Sequence, residues 1–146
     1  MTDHRLTTRQ MADFVTNGFL RFDGLVPPEI NRRGVEEMGL LMAERLIPGD
    51  GAKPPPTGTP LSACYPPPSA IGEYLRLPPV AGIIESLVGP EPTFDHDWTH
   101  HIAAGSEYVQ PLHVDAITDT AEPAFDIQLF WFPEEVAPGE GGTRFV

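Results

Sequence analysis

Two side chains that can bind a metal lie two residues apart in the C-terminal part of the sequence. The segment Gln110-Pro111-Leu112-His113-Val114-Asp115 contains an imidazole at position 113 and a carboxylate at position 115. In an extended strand, residues i and i+2 point to the same face, so His113 and Asp115 can converge on one point. An imidazole and a carboxylate are two of the three ligands in the 2-His-1-carboxylate triad that holds Fe(II). The spacing therefore predicts part of a ferrous site.

The His-x-Asp pair is a weak signal by itself, because the chain has five histidines and such a spacing also arises by chance. The alternative interpretation is a histidine at the end of a strand with a solvated aspartate nearby. Three other histidines, His96, His100 and His101, precede the pair. His96 and His100 would share one face of a strand and could supply a third ligand, although a histidine without a metal role is the commoner case.

The composition indicates which cellular compartment and which classes of partner to expect. The formal net charge is −12, whereas nucleic acids and anionic membranes bind basic surfaces, so we expect neither as a partner. The single cysteine, Cys64, rules out a disulfide framework within the chain and suits a reducing cytoplasm. A small apolar side chain without a chemical role is the favoured interpretation of Cys64. The N-terminus lacks the profile of a signal peptide, and no apolar run approaches the length of a membrane span.

The length of 146 residues predicts a single domain over residues 1–146. Its 18 prolines and 14 glycines are roughly twice the usual share, which favours loops and turns over a helical bundle. Eight of the prolines fall within residues 48–70, so this segment is predicted to be a loop. A long loop of this kind is a lid, a substrate-binding loop or a disordered insert. Lys53 and Tyr65 are its candidates for contact with a polar ligand.

Helix signals dominate the N-terminal part of the chain and strand signals the rest. Thr7 and Gln10 form a capping box ahead of an apolar face made by Met11, Phe14 and Val15. Helices are predicted over residues 6–18, 27–49, 71–77 and 79–88, and strands over 19–22, 93–102, 107–114, 125–132 and 143–146. This order indicates an α+β fold, with N-terminal helices packed on a partial double-stranded β-helix of the jelly-roll or cupin-like type.

Three segments occur in an order and at a spacing typical of one oxygenase family. They are Leu6-Thr7-x-x-Gln10 with Phe14, Asn17-Gly18-Phe19-Leu20 and Gly24-Leu25; Leu112-His113-Val114-Asp115; and Gly141-Gly142-Thr143-Arg144-Phe145-Val146. They resemble the N-terminal helix and strand, the metal motif and the start of the second signature of the phytanoyl-CoA dioxygenase (PhyH) family.

The resemblance implies a non-heme Fe(II)- and 2-oxoglutarate-dependent dioxygenase that hydroxylates a small organic substrate. It implies that His113 and Asp115 are the metal ligands. Thr143 matches the position from which some family members hydrogen-bond the cosubstrate, and Gln110 is similar to a polar residue of the pocket wall. A strand glutamine bonded to neighbouring backbone is an equally good interpretation of Gln110. The presence of Asp115 disfavours halogenation, because halogenases of this type have a small residue there.

The sequence departs from the family pattern at one point. The family has a distal histidine ligand and an arginine for 2-oxoglutarate after the second signature, whereas no histidine follows His113 in this sequence. We therefore expect the chain to be the N-terminal part of such an oxygenase, with the C-terminal strands missing and little activity by itself. Two alternatives stay open: a non-catalytic fragment that acts by association, and a cupin-like metalloenzyme that does not use 2-oxoglutarate.

Overall fold

The computed structural model describes residues 4–43, 55–96, 111–113, 126–139, 143 and 145. The chain divides into an N-terminal unit, Met1–Thr99, and a C-terminal unit, His100–Val146. Each unit is described by itself, and the single domain expected over residues 1–146 stays a prediction. None of the helices in the described ranges is both long enough and apolar enough to cross a membrane.

Helix α1 spans Thr8–Asn17 and begins and ends as the sequence predicts. The Thr7 backbone N–H donates to Gln10 Oε1 at 2.9 Å, and the Gln10 N–H donates to Thr7 Oγ1 at 3.3 Å. These reciprocal bonds satisfy two N–H groups that have no partner within the helix, so the predicted capping box is confirmed. Gly18 ends the helix in the left-handed region, with φ of 78°, and its N–H donates to the Phe14 carbonyl at 2.8 Å.

Helix α2 spans Pro28–Ala43, with a proline in the first turn where its missing N–H costs nothing. Ile30 of α2 is buried. On the exposed side Arg32 pairs with Glu29 at 2.8 Å and also with Glu36, one helical turn away on either side. Helix α2 thus has one face in the core and one in solvent, and residues 44–49 of the predicted helix lie outside the described part.

Two further helices follow a short 3-10 helix at Leu61–Ala63. Helix α3 spans Ala70–Arg76, and Ser69 caps it by accepting a bond from the Gly72 N–H at 3.2 Å. Helix α4 spans Pro78–Val88, begins with proline at its first position and ends at Gly89. Its residues Val80 and Ile84, which are four apart, are buried on one face. Both helices are where their local sequence signals predict them.

The core of the N-terminal unit includes part of the proline-rich loop. Cys64, Tyr65 and Phe94 are buried together, and the partly buried side chains packed against them are Leu61, Ile71 and Leu75. The rings of Tyr65 and Phe94 meet edge to face with centroids 6.0 Å apart. The favoured interpretation of Cys64, a small apolar side chain, agrees with its 1% exposure.

The N-terminal segment lies against α4. The Leu6 backbone N–H donates to Ser86 Oγ at 2.9 Å, and the Ser86 hydroxyl donates to the Gly82 carbonyl at 2.7 Å. A Cβ at position 82 would lie 2.5 Å from the carbonyl oxygen of His4. Because residue 82 is glycine, the backbone at His4 can lie close to α4.

The predicted α+β class with a partial double-stranded β-helix is wrong. The described positions contain four α-helices and no β-strand, so they form no sheet. Residues 19–22 and 126–132 were predicted as strands, and neither segment is a strand. The nearest approach to a sheet is an isolated antiparallel bridge between Pro60 and Thr93, where the Phe94 N–H donates to the Thr59 carbonyl at 2.8 Å.

The physical reason for this error is that alternating apolar residues specify a face but not a partner. A strand needs hydrogen bonds to a neighbouring chain segment, and those bonds depend on contacts that are distant in sequence. The predicted strands over 93–102, 107–114 and 143–146 fall largely outside the described residues, and the parts that are described include no strand.

Aromatic side chains dominate the described part of the C-terminal unit. Phe130 and Phe132 lie side by side, with ring centroids 6.3 Å apart and planes 8° from parallel. Phe145 meets Phe130 edge to face at 5.3 Å. This arrangement brings together two positions that are distant in sequence, without a strand at either of them.

Candidate metal centre

His113 is exposed and makes a local hydrogen bond that suits a metal ligand. Its Nδ1 lies 2.7 Å from the backbone carbonyl oxygen of Pro111. A carbonyl oxygen only accepts, so Nδ1 carries the proton in this bond and the lone pair of the neutral ring is on Nε2. Metal-binding histidines typically donate their other ring N–H to a carbonyl or carboxylate, which fixes the tautomer and the ring orientation. His113 therefore fits the role of a ligand that binds through Nε2.

The other residues of the predicted site are placed only in part. Asp115 and Gln110 lie outside the described residues, so the convergence of Asp115 with His113 stays a prediction. Thr143 is described and exposed, which leaves its hydroxyl accessible to a ligand. Among the described residues, no group of three or more histidine, cysteine, aspartate or glutamate side chains is placed to hold a metal ion.

His96, one of the possible substitutes for a third ligand, forms an exposed pair with its neighbour in sequence. Its Nδ1 lies 2.7 Å from Asp95 Oδ2. The pair belongs to the N-terminal unit, close to the isolated bridge at Thr93. His100 and His101 lie outside the described residues, so their predicted contribution to a metal site is not tested.

Tyr65 occupies the core rather than a ligand-facing position. Only 2% of it is exposed, and its backbone has a φ of 50°, a region that non-glycine residues rarely adopt. The Arg76 guanidinium donates to the carbonyl oxygens of Cys64 and Tyr65, each at 3.0 Å. These two hydrogen bonds hold the loop on α3. Tyr65, which was predicted to contact a ligand, is therefore held in the core. Lys53 lies outside the described residues.

Charged side chains connect α2 to α3 through contacts that the sequence does not predict. The Glu37 carboxylate accepts bonds from the Ser69 hydroxyl at 2.7 Å and from the Ala70 N–H at 2.6 Å. Arg33 donates to Glu73 at 2.6 Å and to the Pro68 carbonyl at 3.1 Å. These contacts join positions more than thirty residues apart, so no local signal predicts them. They hold α3 against α2 and place no reactive group at a cleft.

Burial raises the pKa of the Tyr74 phenol well above its ordinary value. The phenol therefore stays protonated at neutral pH and does not act as a base there. Tyr74 lies on α3 in the core of the N-terminal unit, so its role is to pack.

Comparisons with known proteins leave the chain without a match: no family model matches it, and neither does any curated protein or solved structure. The resemblance to the phytanoyl-CoA dioxygenase family accordingly stays a prediction that rests on the quoted segments.

Proposed function

We propose that the protein is a non-heme Fe(II)- and 2-oxoglutarate-dependent dioxygenase that hydroxylates a small organic substrate. The observation that carries the proposal is the hydrogen bond from His113 Nδ1 to the Pro111 carbonyl, because metal-binding histidines typically donate their other ring N–H in this way. Asp115, two residues further on, would add a carboxylate oxygen. The three sequence segments that resemble the PhyH family support the same chemistry.

Each proposed residue has a separate task. The His113 imidazole and the Asp115 carboxylate would hold the metal, and the Thr143 hydroxyl would hydrogen-bond 2-oxoglutarate. Gln110 supplies a polar group to the pocket wall. The bound iron would supply dioxygen activation coupled to decarboxylation of 2-oxoglutarate, while the protein orients both ligands and excludes water.

The ligand count sets the expected affinity. The segment that resembles the metal motif supplies two of the three usual ligands, His113 and Asp115. Fe(II) is low in the order of divalent metal affinities and depends on a complete set of ligands. We therefore expect residues 1–146 by themselves to bind Fe(II) weakly and to form no succinate from 2-oxoglutarate.

The first prediction concerns His113. We expect His113→Ala to weaken anaerobic Fe(II) binding by roughly tenfold or more, because the substitution removes one of two protein ligands. Because the wild-type chain is itself expected to bind weakly, anaerobic equilibrium dialysis at millimolar Fe(II) measures this change, and Asp115→Ala should have an effect of similar size. Far-UV circular dichroism should show that the helices are retained in both variants.

His96→Ala is the matched control, because His96 is also an exposed histidine with a hydrogen-bonded Nδ1. It should leave Fe(II) binding unchanged. Equal losses in His96→Ala and His113→Ala would make His96 a ligand, and an unchanged affinity in His113→Ala would contradict the proposal. Tighter Fe(II) binding in the presence of 2-oxoglutarate distinguishes the dioxygenase from the cupin-like metalloenzyme without that cosubstrate.

A further inference from the structure

An exposed aromatic patch in the C-terminal unit includes none of the residues proposed to bind iron. The patch consists of three phenylalanine side chains: Phe130, Phe132 and Phe145. Between 43% and 52% of each is exposed. Scattered apolar residues are normal on a protein surface, but contiguous ones mark sites of interaction. The three phenylalanine rings are contiguous, because Phe130 contacts both Phe132 and Phe145.

Exposed acidic residues lie close to the aromatic patch in sequence. Asp126, Glu134 and Glu135 flank the patch residues in sequence, and all three are exposed. Over residues 100–146 the sequence contains eight aspartates and glutamates, one arginine and no lysine. An apolar centre with a charged rim is the usual anatomy of a protein interface. The described charged residues beside the patch in sequence are all acidic, whereas Arg144, the neighbour of Phe145, lies outside the described residues.

The charge of the rim selects the partner. A second copy of this chain, docked symmetrically, would place the same acidic patch against itself, and like charges across an interface are unfavourable. An anionic lipid surface would meet the same repulsion. A peptide segment with lysine or arginine beside leucine or another apolar residue complements both the rings and the rim.

We propose that the aromatic patch is a docking surface for a basic segment of a partner protein that carries apolar side chains. The phenylalanine rings receive the apolar side chains and the faces of the rings also attract cations. The flanking carboxylates pair with the basic groups and accelerate association at low salt. The proposal does not depend on iron or 2-oxoglutarate.

The second prediction tests this surface with a defined probe. A short synthetic peptide of alternating lysine and leucine, carrying a fluorophore, is titrated with the full chain and followed by fluorescence anisotropy. We expect saturable binding that weakens as salt is added, because part of the interaction is electrostatic. A peptide of alternating glutamate and leucine and one of alternating lysine and serine should both bind at least about tenfold more weakly.

Substitutions separate the apolar and the electrostatic contributions to peptide binding. The double variant Phe130→Ser, Phe132→Ser should lower the affinity for the lysine–leucine peptide by about tenfold or more, since aromatic anchors dominate interface energies. Val15→Ser is its matched control, because Val15 is 81% exposed and lies in the other unit. Glu134→Gln with Glu135→Gln should reduce the salt dependence, whereas Glu85→Gln, at an exposed position of α4, should not.

Three results would overturn the proposal. The first is an affinity that stays the same in the double phenylalanine variant while circular dichroism shows intact helices. The second is equal binding of the lysine–serine peptide, which would reduce the interaction to charge alone. The third is a dimer of the wild-type chain in sedimentation experiments that the double variant abolishes, which would make the aromatic patch a contact between copies.

Discussion

Glu37 shows how a single side chain can join two elements. Its carboxylate lies at the start of α3, where the Ala70 N–H lacks a partner within the helix, and it also binds the Ser69 hydroxyl. A negative charge at a helix N-terminus is favourable because of the partial positive charge of the first N–H groups. The residue therefore caps a helix from another helix, a role that its own position in α2 does not reveal.

The third prediction compares two neighbouring glutamates. Glu37→Ala should lower the free energy of unfolding by about 1–2 kcal/mol, the usual cost of losing an N-terminal cap. Glu36→Ala, which breaks only an exposed pair with Arg32, should change it by less than about 1 kcal/mol. Urea denaturation followed by circular dichroism measures both. Equal losses in the two variants would show that the Glu37 contacts contribute no more than a surface ion pair.

The fourth prediction concerns Tyr74 and alkaline pH. Burial raises the pKa of the folded phenol above the value near 10 that it has in the unfolded chain. Below about pH 10 the Tyr74 phenol is protonated in both the folded and the unfolded state, so its contribution to stability is fully present. Above that pH the unfolded state binds fewer protons, so stability falls as pH rises, by at most about 1.4 kcal/mol per pH unit.

Tyr74→Phe isolates this effect, because phenylalanine keeps the ring but does not titrate. Chemical denaturation between neutral pH and pH 11 should give a shallower alkaline decline for Tyr74→Phe than for the wild-type chain. If the free energy of unfolding fell equally with pH in both chains, groups other than Tyr74 would cause the loss of stability at alkaline pH.

Helix α3 packs so closely against the loop before it that position 72, within the helix, requires glycine. A Cβ built at Gly72 would overlap the Tyr65 carbonyl oxygen and the end of the Arg76 side chain. Arg76 also binds that carbonyl, so the loop cannot move away without losing the bond. The close contact at Gly72 and the burial of the core residues Cys64 and Tyr65 hold helix α3 against the loop.

The fifth prediction uses this contact. Gly72→Ala should destabilise the protein by about 1–3 kcal/mol, because an overpacked site costs more than alanine gains in helix propensity. Gly39→Ala is the control: it lies in α2 with nothing within 4 Å of its new Cβ. It should be neutral or stabilising by up to about 1 kcal/mol. Thermal unfolding measures both, and a gain in both would show that the loop moves aside freely.

Local signals predicted the helices well because helix hydrogen bonds join residues four apart. Thr7 with Gln10, the proline that opens α4, and Gly18 each act within one turn of the element they begin or end. The same reasoning failed for the aromatic segment 126–132, which has the composition of a strand but is not one. Strand formation depends on a partner that composition does not supply.

At the scale of the whole molecule, charge and contacts between distant segments decide different properties. The net charge of −12 follows from composition alone, and it disfavours nucleic acid and anionic lipid as partners. The accessible rings of Phe130, Phe132 and Phe145 follow only from the way the chain is folded. Their combination with the acidic flanks is the basis for proposing a basic, partly apolar partner.

The sequence alone determined the four helices, the capping box of α1 and the pair of possible metal ligands at His113 and Asp115, because each depends on residues close together in the chain. Only the tertiary structure decided that Tyr65 is a core residue, that Glu37 caps α3 and that no strand is formed among the described residues. Those outcomes depend on which distant segments meet. The free energy of such contacts comes from burial and from paired polar groups that no short stretch of sequence contains.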